Sequence, residues 1–305
     1  MGSGKRWKIA TVRGIPVYVS TSWVFVVVWV AWSQYAVLLR DYSALTEGEG
    51  LVLALVVTVS FFGSVLIHEG AHAVMARSLD LPVMGITMVF WGGATETKAS
   101  GRGAGGEFLV AFVGPASTLV MAGVFWAVSQ SIHGVASEVV AWLAGISLIF
   151  AAVNTLPGFP LDGGRMLLAA VWGISGNRRT GMRAAGYVGM AIGLAAAAFA
   201  VWTIGQGDTL TAVFVGYLAF IMIATGRSME GRIAFRDQLV QGTVADAMRP
   251  PPRAVPADLS LADTLDRYLR DSPGGWFPVV DDGRVIGTVS MATASRVGAR
   301  DPLRP

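Results

Sequence analysis

Six apolar stretches constrain this chain more than any other feature, because each is long enough to cross a bilayer. An α-helix needs about 20 apolar residues to span a hydrocarbon core of about 30 Å. The stretches are residues 22–39, 51–76, 108–130, 137–157, 184–204 and 210–227. Only 14% of all residues are charged, against about 25% in soluble domains. The sequence therefore predicts a mainly α-helical, polytopic membrane protein with about six transmembrane helices.

Basic residues collect in alternate joints between these stretches. They are Lys5, Arg6, Lys8, Arg13, Arg77, Lys98, Arg102, Arg178, Arg179, Arg183, Arg227, Arg232 and Arg236. The opposite joints contain one arginine, Arg40, among acidic residues. The positive-inside rule then places the N- and C-termini in the cytoplasm, which agrees with six spans. No small-residue cleavage site is evident, so no signal peptide is predicted.

Two short segments and the C-terminal part differ from the apolar pattern. Residues 10–20 and 83–98 contain β-branched and aromatic residues, which predicts a short membrane-associated β element. From about residue 240 the chain is polar, with short helices at TVADAM and SLADTLDRYLRD and a hairpin that turns at Asp282-Gly283. We therefore predict a membrane domain over 1–235 and a small α+β cytoplasmic domain over 240–305.

Titratable residues interrupt the second apolar stretch, in the segment SVLIHEGAHAVMA. His68 and His72 are four residues apart, so a helix places them on one face. Two imidazoles in this arrangement can bind one zinc ion. Glu69, beside the metal, can accept the proton of an attacking water. Ionisable groups within a span are costly, and they mark a functional site by default.

A catalytic zinc ion usually has three protein ligands, so one more is needed. The chain has no cysteine, and its only other histidine, His133, falls in an outer joint. The second and fourth spans run in the same direction, and the histidine pair lies in the last third of the second. The fourth ends at NTLPGFPLDGGR, where prolines would stop the helix. Topology thus favours Asp162 as the third ligand.

HEGAH within a span, followed about 90 residues later by N-x-x-P-x-x-P-L-D-G-G, resembles the two-part motif of the site-2 protease family. These proteins are the intramembrane zinc metalloproteases of peptidase family M50. The chain is similar to their six-span bacterial and archaeal branch, which carries a C-terminal cystathionine-β-synthase-type (CBS) domain. GEFLVAFVGPAS resembles the third core span of the family, and FWGGATE resembles its membrane-embedded β element. GIPVYVSTSW resembles the start of the first span, although a histidine common there is absent.

The resemblance implies a hydrolase of the cell (inner or plasma) membrane that cleaves single-span membrane proteins, such as anti-sigma factors or membrane-bound transcription regulators. It implies one Zn²⁺ per chain on His68, His72 and Asp162, with no other cofactor. It assigns the general acid/base role to Glu69, and substrate positioning or oxyanion stabilisation to Asn154.

A helical substrate must unwind before its carbonyls can be attacked. We hypothesise that strands at 86–95 offer an edge to which the unwound peptide adds. Gly92 and Gly93 would then contact the substrate, whereas the alternative is that they form a tight turn.

Other interpretations of the remaining residues stay open. The His–Glu–His group could join helices or relay protons, as in a zinc or proton transporter. A transporter also needs titratable residues in the outer halves of its spans, where the sequence has almost none. Asp162 could be a turn residue, and Asn154 could pack between helices. A catalytically inactive scaffold is a further alternative, against which the intact Glu69 argues.

The C-terminal domain resembles a single CBS motif. Such motifs usually work in pairs, with adenine nucleotides bound between them. The chain has one copy, which predicts a homodimer through this domain. Thr293 stands where the family has a ribose-binding aspartate, and this counts against an adenine nucleotide as ligand. No basic pattern typical of nucleic-acid binding is present, so no nucleic-acid partner is expected.

Overall fold

A computed structural model describes residues 6–12, 14–89, 92–97, 103–241, 243, 253–270 and 275–298. Within these residues, six helices are long and apolar enough to cross a membrane. They are Thr21–Asp41, Glu47–Ser78, Ala104–Ser131, Val135–Asn154, Arg178–Gly205 and Thr209–Met229. The prediction of a mainly α-helical protein with about six spans is confirmed.

The chain divides into two compact units, Met1–Phe235 and Arg236–Pro305. The first unit contains the strands β1 (Arg6–Val12), β2 (Ile15–Ser20), β3 (Val83–Val89) and β4 (Gly92–Thr97). It also contains the helices α1 (Thr21–Asp41), α2 (Glu47–Ser78), α3 (Ala104–Ser129), α4 (Val135–Asn154), α5 (Asp162–Ser175) and α6 (Arg178–Gly205). Helix α7 (Thr209–Gln241) begins in the first unit and ends after residue 235.

Large apolar side chains lie on the outer surface of the long helices. Phe25, Trp32, Val59, Val120 and Phe220 are all exposed. Soluble monomers rarely expose broad apolar patches, because contact of apolar surface with water is unfavourable. In hydrocarbon the same exposure carries no such cost. Together with the six long apolar helices, this surface identifies a multi-pass membrane protein.

The strands predicted at 10–20 and 83–98 form one sheet in the order β1-β2-β3-β4 among the described residues. β2 and β3 are parallel, and the other two pairs are antiparallel. The buried residues of this sheet pack on α2, around Val65 and Ala73, on either side of the histidine pair. β4 also contacts α2. The β element therefore lies next to the helix that carries HEGAH.

The sheet order corrects one detail of the strand-addition hypothesis. β3 pairs with β2 on one side, through Ile86, Thr87 and Met88, and with β4 on the other. The part of 86–95 that belongs to β3 is therefore internal and offers no edge. Among the described strands, β1 and β4 are the edge strands, and β4 begins with Gly92 and Gly93.

α4 and α5 are joined by a tight bend at residues 155–161. α4 ends at Asn154, and α5 begins at Asp162. With 14 residues, or about 21 Å at 1.5 Å per residue, α5 is too short to span the membrane. Sequence analysis did not predict this helix. A Cβ at Gly163 would overlap the carbonyl oxygens of the bend, so glycine lets the bend fold closely over the start of α5.

The second unit contains a three-stranded sheet within its described residues. β5 (Val255–Pro256) is parallel to β6 (Trp276–Asp281), which is antiparallel to β7 (Arg284–Ser290). Asp282 and Gly283 join β6 to β7, both with positive φ, which confirms the predicted hairpin turn. Helix α8 (Leu261–Thr264), extended by a π-helical turn (Leu265–Leu269), lies in SLADTLDRYLRD, and α9 (Met291–Gly298) follows β7. The helix predicted at TVADAM lies, apart from Thr243, outside the described residues.

Candidate metal centre

Two histidines of α2 and the first residue of α5 converge inside the helical bundle. His68 Nε2 and His72 Nε2 are 3.1 Å apart. The Asp162 Oδ2 atom lies 3.1 Å from the first nitrogen and 3.2 Å from the second. Among the described residues, these three form the group that could hold a metal ion. The structure thus brings together the three predicted ligands, and His133 is not among them.

The hydrogen bonds on the far side of each imidazole decide which nitrogen carries the proton. His72 Nδ1 lies 2.6 Å from the carbonyl oxygen of Val110, which can only accept, so this nitrogen donates. His68 Nδ1 lies 2.8 Å from Thr118 Oγ1, and that hydroxyl donates its own proton to the Gly114 carbonyl at 3.3 Å. His68 Nδ1 is therefore also the donor.

It follows that three acceptor atoms face one another. In the neutral imidazoles both Nε2 atoms carry lone pairs, and the Asp162 carboxylate brings a third. Such a group repels itself unless a cation lies between its members. A tetrahedral zinc site with bonds of about 2.0–2.1 Å places its ligand atoms about 3.3 Å apart, close to the spacing observed. The donor set of two imidazoles and one carboxylate suits the same ion.

Gly114 of α3 explains how a neighbouring helix approaches the imidazoles so closely. A Cβ built at this position would overlap His72 Nε2 and lie 2.9 Å from His68 Cε1. Glycine therefore keeps open the space at the Nε2 edges of both rings. Sequence analysis did not connect Gly114 with the histidines.

The Asp162 carboxylate is ionised in this setting. Asp162 is the first residue of α5, where the helix dipole favours negative charge. Burial opposes its ionisation, and a cation bound between the three acceptor atoms would outweigh that cost. Its side chain is 13% exposed, against 3% and 4% for the histidines, so the centre is most open on the Asp162 side.

The remaining predicted site residues lie on elements that surround the centre. Glu69 follows His68 on α2 and is buried. Asn154 ends α4, where its Nδ2 donates to the Phe150 carbonyl at 3.0 Å. The Phe150 ring lies 5.4 Å from that of His68, which places Asn154 one turn beyond a residue at the centre. Gly92 and Gly93 pair with Val89 and Met88 at the start of β4.

Two orienting groups were missed by sequence analysis. Thr118 lies 50 residues from His68, and a threonine within a span resembles an ordinary packing residue. The other group, the Val110 carbonyl, belongs to the backbone, so the residue type at position 110 does not reveal it. Metal-ligating histidines usually donate the N–H of their second ring nitrogen to such partners, so a search along the neighbouring span for hydrogen-bond acceptors could have found Thr118.

Two family models match parts of this chain. Residues 127–198 match the family model of peptidase family M50, and residues 244–297 match that of the CBS domain. The fold is similar to that of the site-2 protease from Methanocaldococcus jannaschii, with a TM-score of 0.50 and 19% sequence identity. That match covers 72% of this chain and 95% of the other.

Two curated relatives extend the similarity in sequence. Rip3 of Mycobacterium tuberculosis, named as a zinc metalloprotease, is 31% identical over 240 residues, or 76% of this chain. The matched region covers 61% of Rip3, so the chain spans about three fifths of that relative's length. A Synechocystis protein named as zinc metalloprotease sll0528 is 28% identical over 303 residues, covering 96% of this chain and 78% of the relative.

Proposed function

The chain is a relative of the M50 zinc metalloproteases with the fold of a site-2 protease, and on this premise we propose that it is an intramembrane zinc endopeptidase. Its substrates are single-span membrane proteins, of the class of anti-sigma factors or membrane-bound transcription regulators. The observation that carries the proposal is the convergence of two imidazole lone pairs and one carboxylate within 3.2 Å inside the bundle.

His68, His72 and Asp162 would hold one zinc ion. When bound there, zinc supplies a Lewis acid that polarises the scissile carbonyl and lowers the pKa of a water molecule to about 7. The Thr118 hydroxyl and the Val110 carbonyl keep both histidines in the tautomer that directs Nε2 to the ion. These contacts fix the ring orientations before substrate arrives.

Glu69 acts as the general base and then as the general acid. Its carboxylate accepts a proton from water as the water oxygen bonds to the scissile carbonyl carbon. The same proton then passes to the amide nitrogen as the carbon–nitrogen bond breaks. Asn154 donates through its amide to the developing oxyanion, since Nδ2 carries two N–H groups and the Phe150 carbonyl accepts from one of them.

The substrate adds to the sheet at the edge strand β4. An unwound peptide in lipid must satisfy its backbone groups, because each unpaired group costs several kcal/mol. β4 contacts α2, so a peptide paired with Gly92 and Gly93 would lie beside the helix that carries the histidines.

The basic joints support an orientation with both termini in the cytoplasm of a cell whose inner or plasma membrane holds the protein. His72 is six residues from the end of α2 at Ser78, or about 9 Å along the helix, so cleavage occurs near the cytoplasmic side. We assign residues 1–235 to the protease domain and 240–305 to a CBS-like regulatory domain.

The CBS-like domain pairs two chains. Val285 and Ile286 on β7 and Trp276 on β6 are exposed apolar residues, as expected of a sheet that packs against a second copy. Thr293 and Ser290 cap the start of α9 through reciprocal hydrogen bonds of 2.8 and 3.4 Å, which gives Thr293 a structural role in place of ribose binding. Light scattering of the full chain in detergent should show a dimer, and Ile286→Asp a monomer; a monomeric wild type would contradict this pairing.

The test of the proposed activity is Glu69→Gln. Glutamine keeps the size of the side chain but cannot accept the proton, so cleavage of a single-span reporter should fall by about 10²–10⁴-fold. Zinc content should stay at the wild-type level, because Glu69 is not a ligand. Wild-type cleavage by a zinc-loaded Glu69→Gln protein would refute the proposal.

A further inference from the structure

One face of α3 carries four residues that contact the metal ligands or the helix that supplies one of them. We call them the α3 strip: Glu107, Val110, Gly114 and Thr118. They are spaced by three or four residues, so they lie on one side of the helix. The last three contact the histidine pair, as described above. The first, Glu107, contacts α5.

Glu107 forms an ion pair with Arg165 that joins α3 to α5. The Arg165 Nε donates to Glu107 Oε1 at 3.0 Å, and Nη2 lies 3.0 Å from the same oxygen. The glutamate side chain is 6% exposed and the arginine side chain 32%. A charge-assisted contact through two nitrogens, largely shielded from solvent, constrains geometry far more than an exposed pair does.

Arg165 lies three residues after Asp162, in the first turn of α5. The contact with Glu107 therefore fixes both the rotation of α5 and its distance from α3. Rotation matters because each residue advances an α-helix by about 100°, so a modest turn would direct the carboxylate away from the histidines. Among the described residues, the close polar contacts of the Asp162 carboxylate are with the Nε2 atoms of the two imidazoles, with which it would share a metal ion. Its placement thus depends on how α5 is held.

We infer that the Glu107–Arg165 ion pair positions Asp162 for metal binding, so that the α3 strip orients all three ligands. Neither residue belongs to the group of three that could hold the metal, so both are positioning residues. The inference rests on the proposed metal site and deepens it. Loss of comparable partners of metal ligands typically weakens metal affinity by about 10–100-fold.

The experiment measures zinc affinity of the full chain in detergent, by competition with a chromogenic chelator, for Glu107→Gln and Arg165→Lys. We expect each to bind zinc about 10–100-fold more weakly than wild type. The visible spectrum of the cobalt-loaded protein should also change, because it reports ligand geometry. The matched control is Glu138→Gln, the same substitution at a glutamate that accepts from Tyr42 at 2.7 Å, in the first turn of α4. The control should keep wild-type affinity and spectrum.

Wild-type affinity and spectrum in both pair variants would overturn the inference, as would an equal loss in Glu138→Gln. Should Glu107→Gln fail to fold, Arg165→Lys decides, since it keeps the positive charge opposite the buried carboxylate. Asp162→Ala distinguishes a failure of the proposed metal site from a failure of the inference about Glu107 and Arg165. If Asp162→Ala binds zinc like wild type, the metal site itself is wrong; if it loses zinc while the pair variants do not, only the inference fails.

Discussion

Replacement of Gly114 should damage the metal centre without removing a ligand. In Gly114→Ala the new Cβ would overlap His72 Nε2, so α3 must move away from the imidazoles. We expect a loss of zinc affinity and a destabilisation of about 1–3 kcal/mol, as for other overpacked sites. Metal titration and thermal unfolding in detergent measure the two effects.

Gly123→Ala is the matched control for this prediction. Gly123 lies on the same helix, and a Cβ there would meet nothing within 4 Å. This variant should bind zinc normally. Equal zinc affinity in both alanine variants would show that the close approach of α3 to the histidines is not required.

For single residues, the sequence predicts a contact when the spacing within one helix determines it. His68 and His72 share a face because helical spacing alone puts them there. Asp162 required a further step, the comparison of depth in two parallel spans. Thr118 was not predicted, since its contact with His68 depends on how two helices cross. The same holds for Glu107 and Arg165, which are 58 residues apart and meet only after α3 and α5 have packed.

At the scale of elements, β4 provides a test of strand addition. Ala94 and Thr95 pair with Thr87 and Ile86 of β3, and neighbouring residues of a strand direct their backbone groups to opposite sides. One of the two N–H groups therefore faces the open edge. Proline at that position removes a donor for the substrate but keeps the ladder to β3.

The two variants are Ala94→Pro and Thr95→Pro, of which one places proline on the open edge. We expect that variant to cleave the reporter much more slowly than wild type, while its zinc content stays at the wild-type level. Alanine or glycine at the same position is the control, and either should keep most of the activity. Cleavage at the wild-type rate by both proline variants would show that substrate does not pair with β4.

Elements were predicted where their pattern is long or strictly periodic. The six spans follow from apolar length, and the strands follow from β-branched and aromatic residues. α5 was not predicted, because its 14 residues are too few for a span and it follows a bend rich in glycine and proline. The order of the strands could not be read from the sequence either. The parallel pairing of β2 with β3 depends on contacts between segments more than 60 residues apart.

At the scale of the whole molecule, the proposed orientation predicts which joints face the cytoplasm. The chain has no cysteine, so single cysteines can serve as unique probes. Ser131, the last residue of the third span, and Ser175, at the end of α5, are both exposed and lie on opposite sides in this orientation. Ser131→Cys should react with a membrane-impermeant maleimide in intact cells, and Ser175→Cys only after permeabilisation. The reverse pattern would contradict the orientation.

Orientation and assembly are less accessible to sequence reasoning than the site, because they depend on surroundings that the chain does not contain. The distribution of basic residues such as Arg178 and Arg227 gives an orientation through their interaction with the cell, not through a contact in the fold. The candidate metal centre is easier to predict from the sequence, because its three candidate ligands belong to one chain.

X-ray absorption at the zinc edge of the purified protein tests the central claim most directly. The account predicts one zinc per chain with two imidazoles and at least one carboxylate oxygen at about 2.0–2.2 Å. It also predicts that Asp162→Ala loses the ion or shows an altered first shell. A wild-type protein without zinc, or a zinc shell that lacks two imidazoles, would contradict the account.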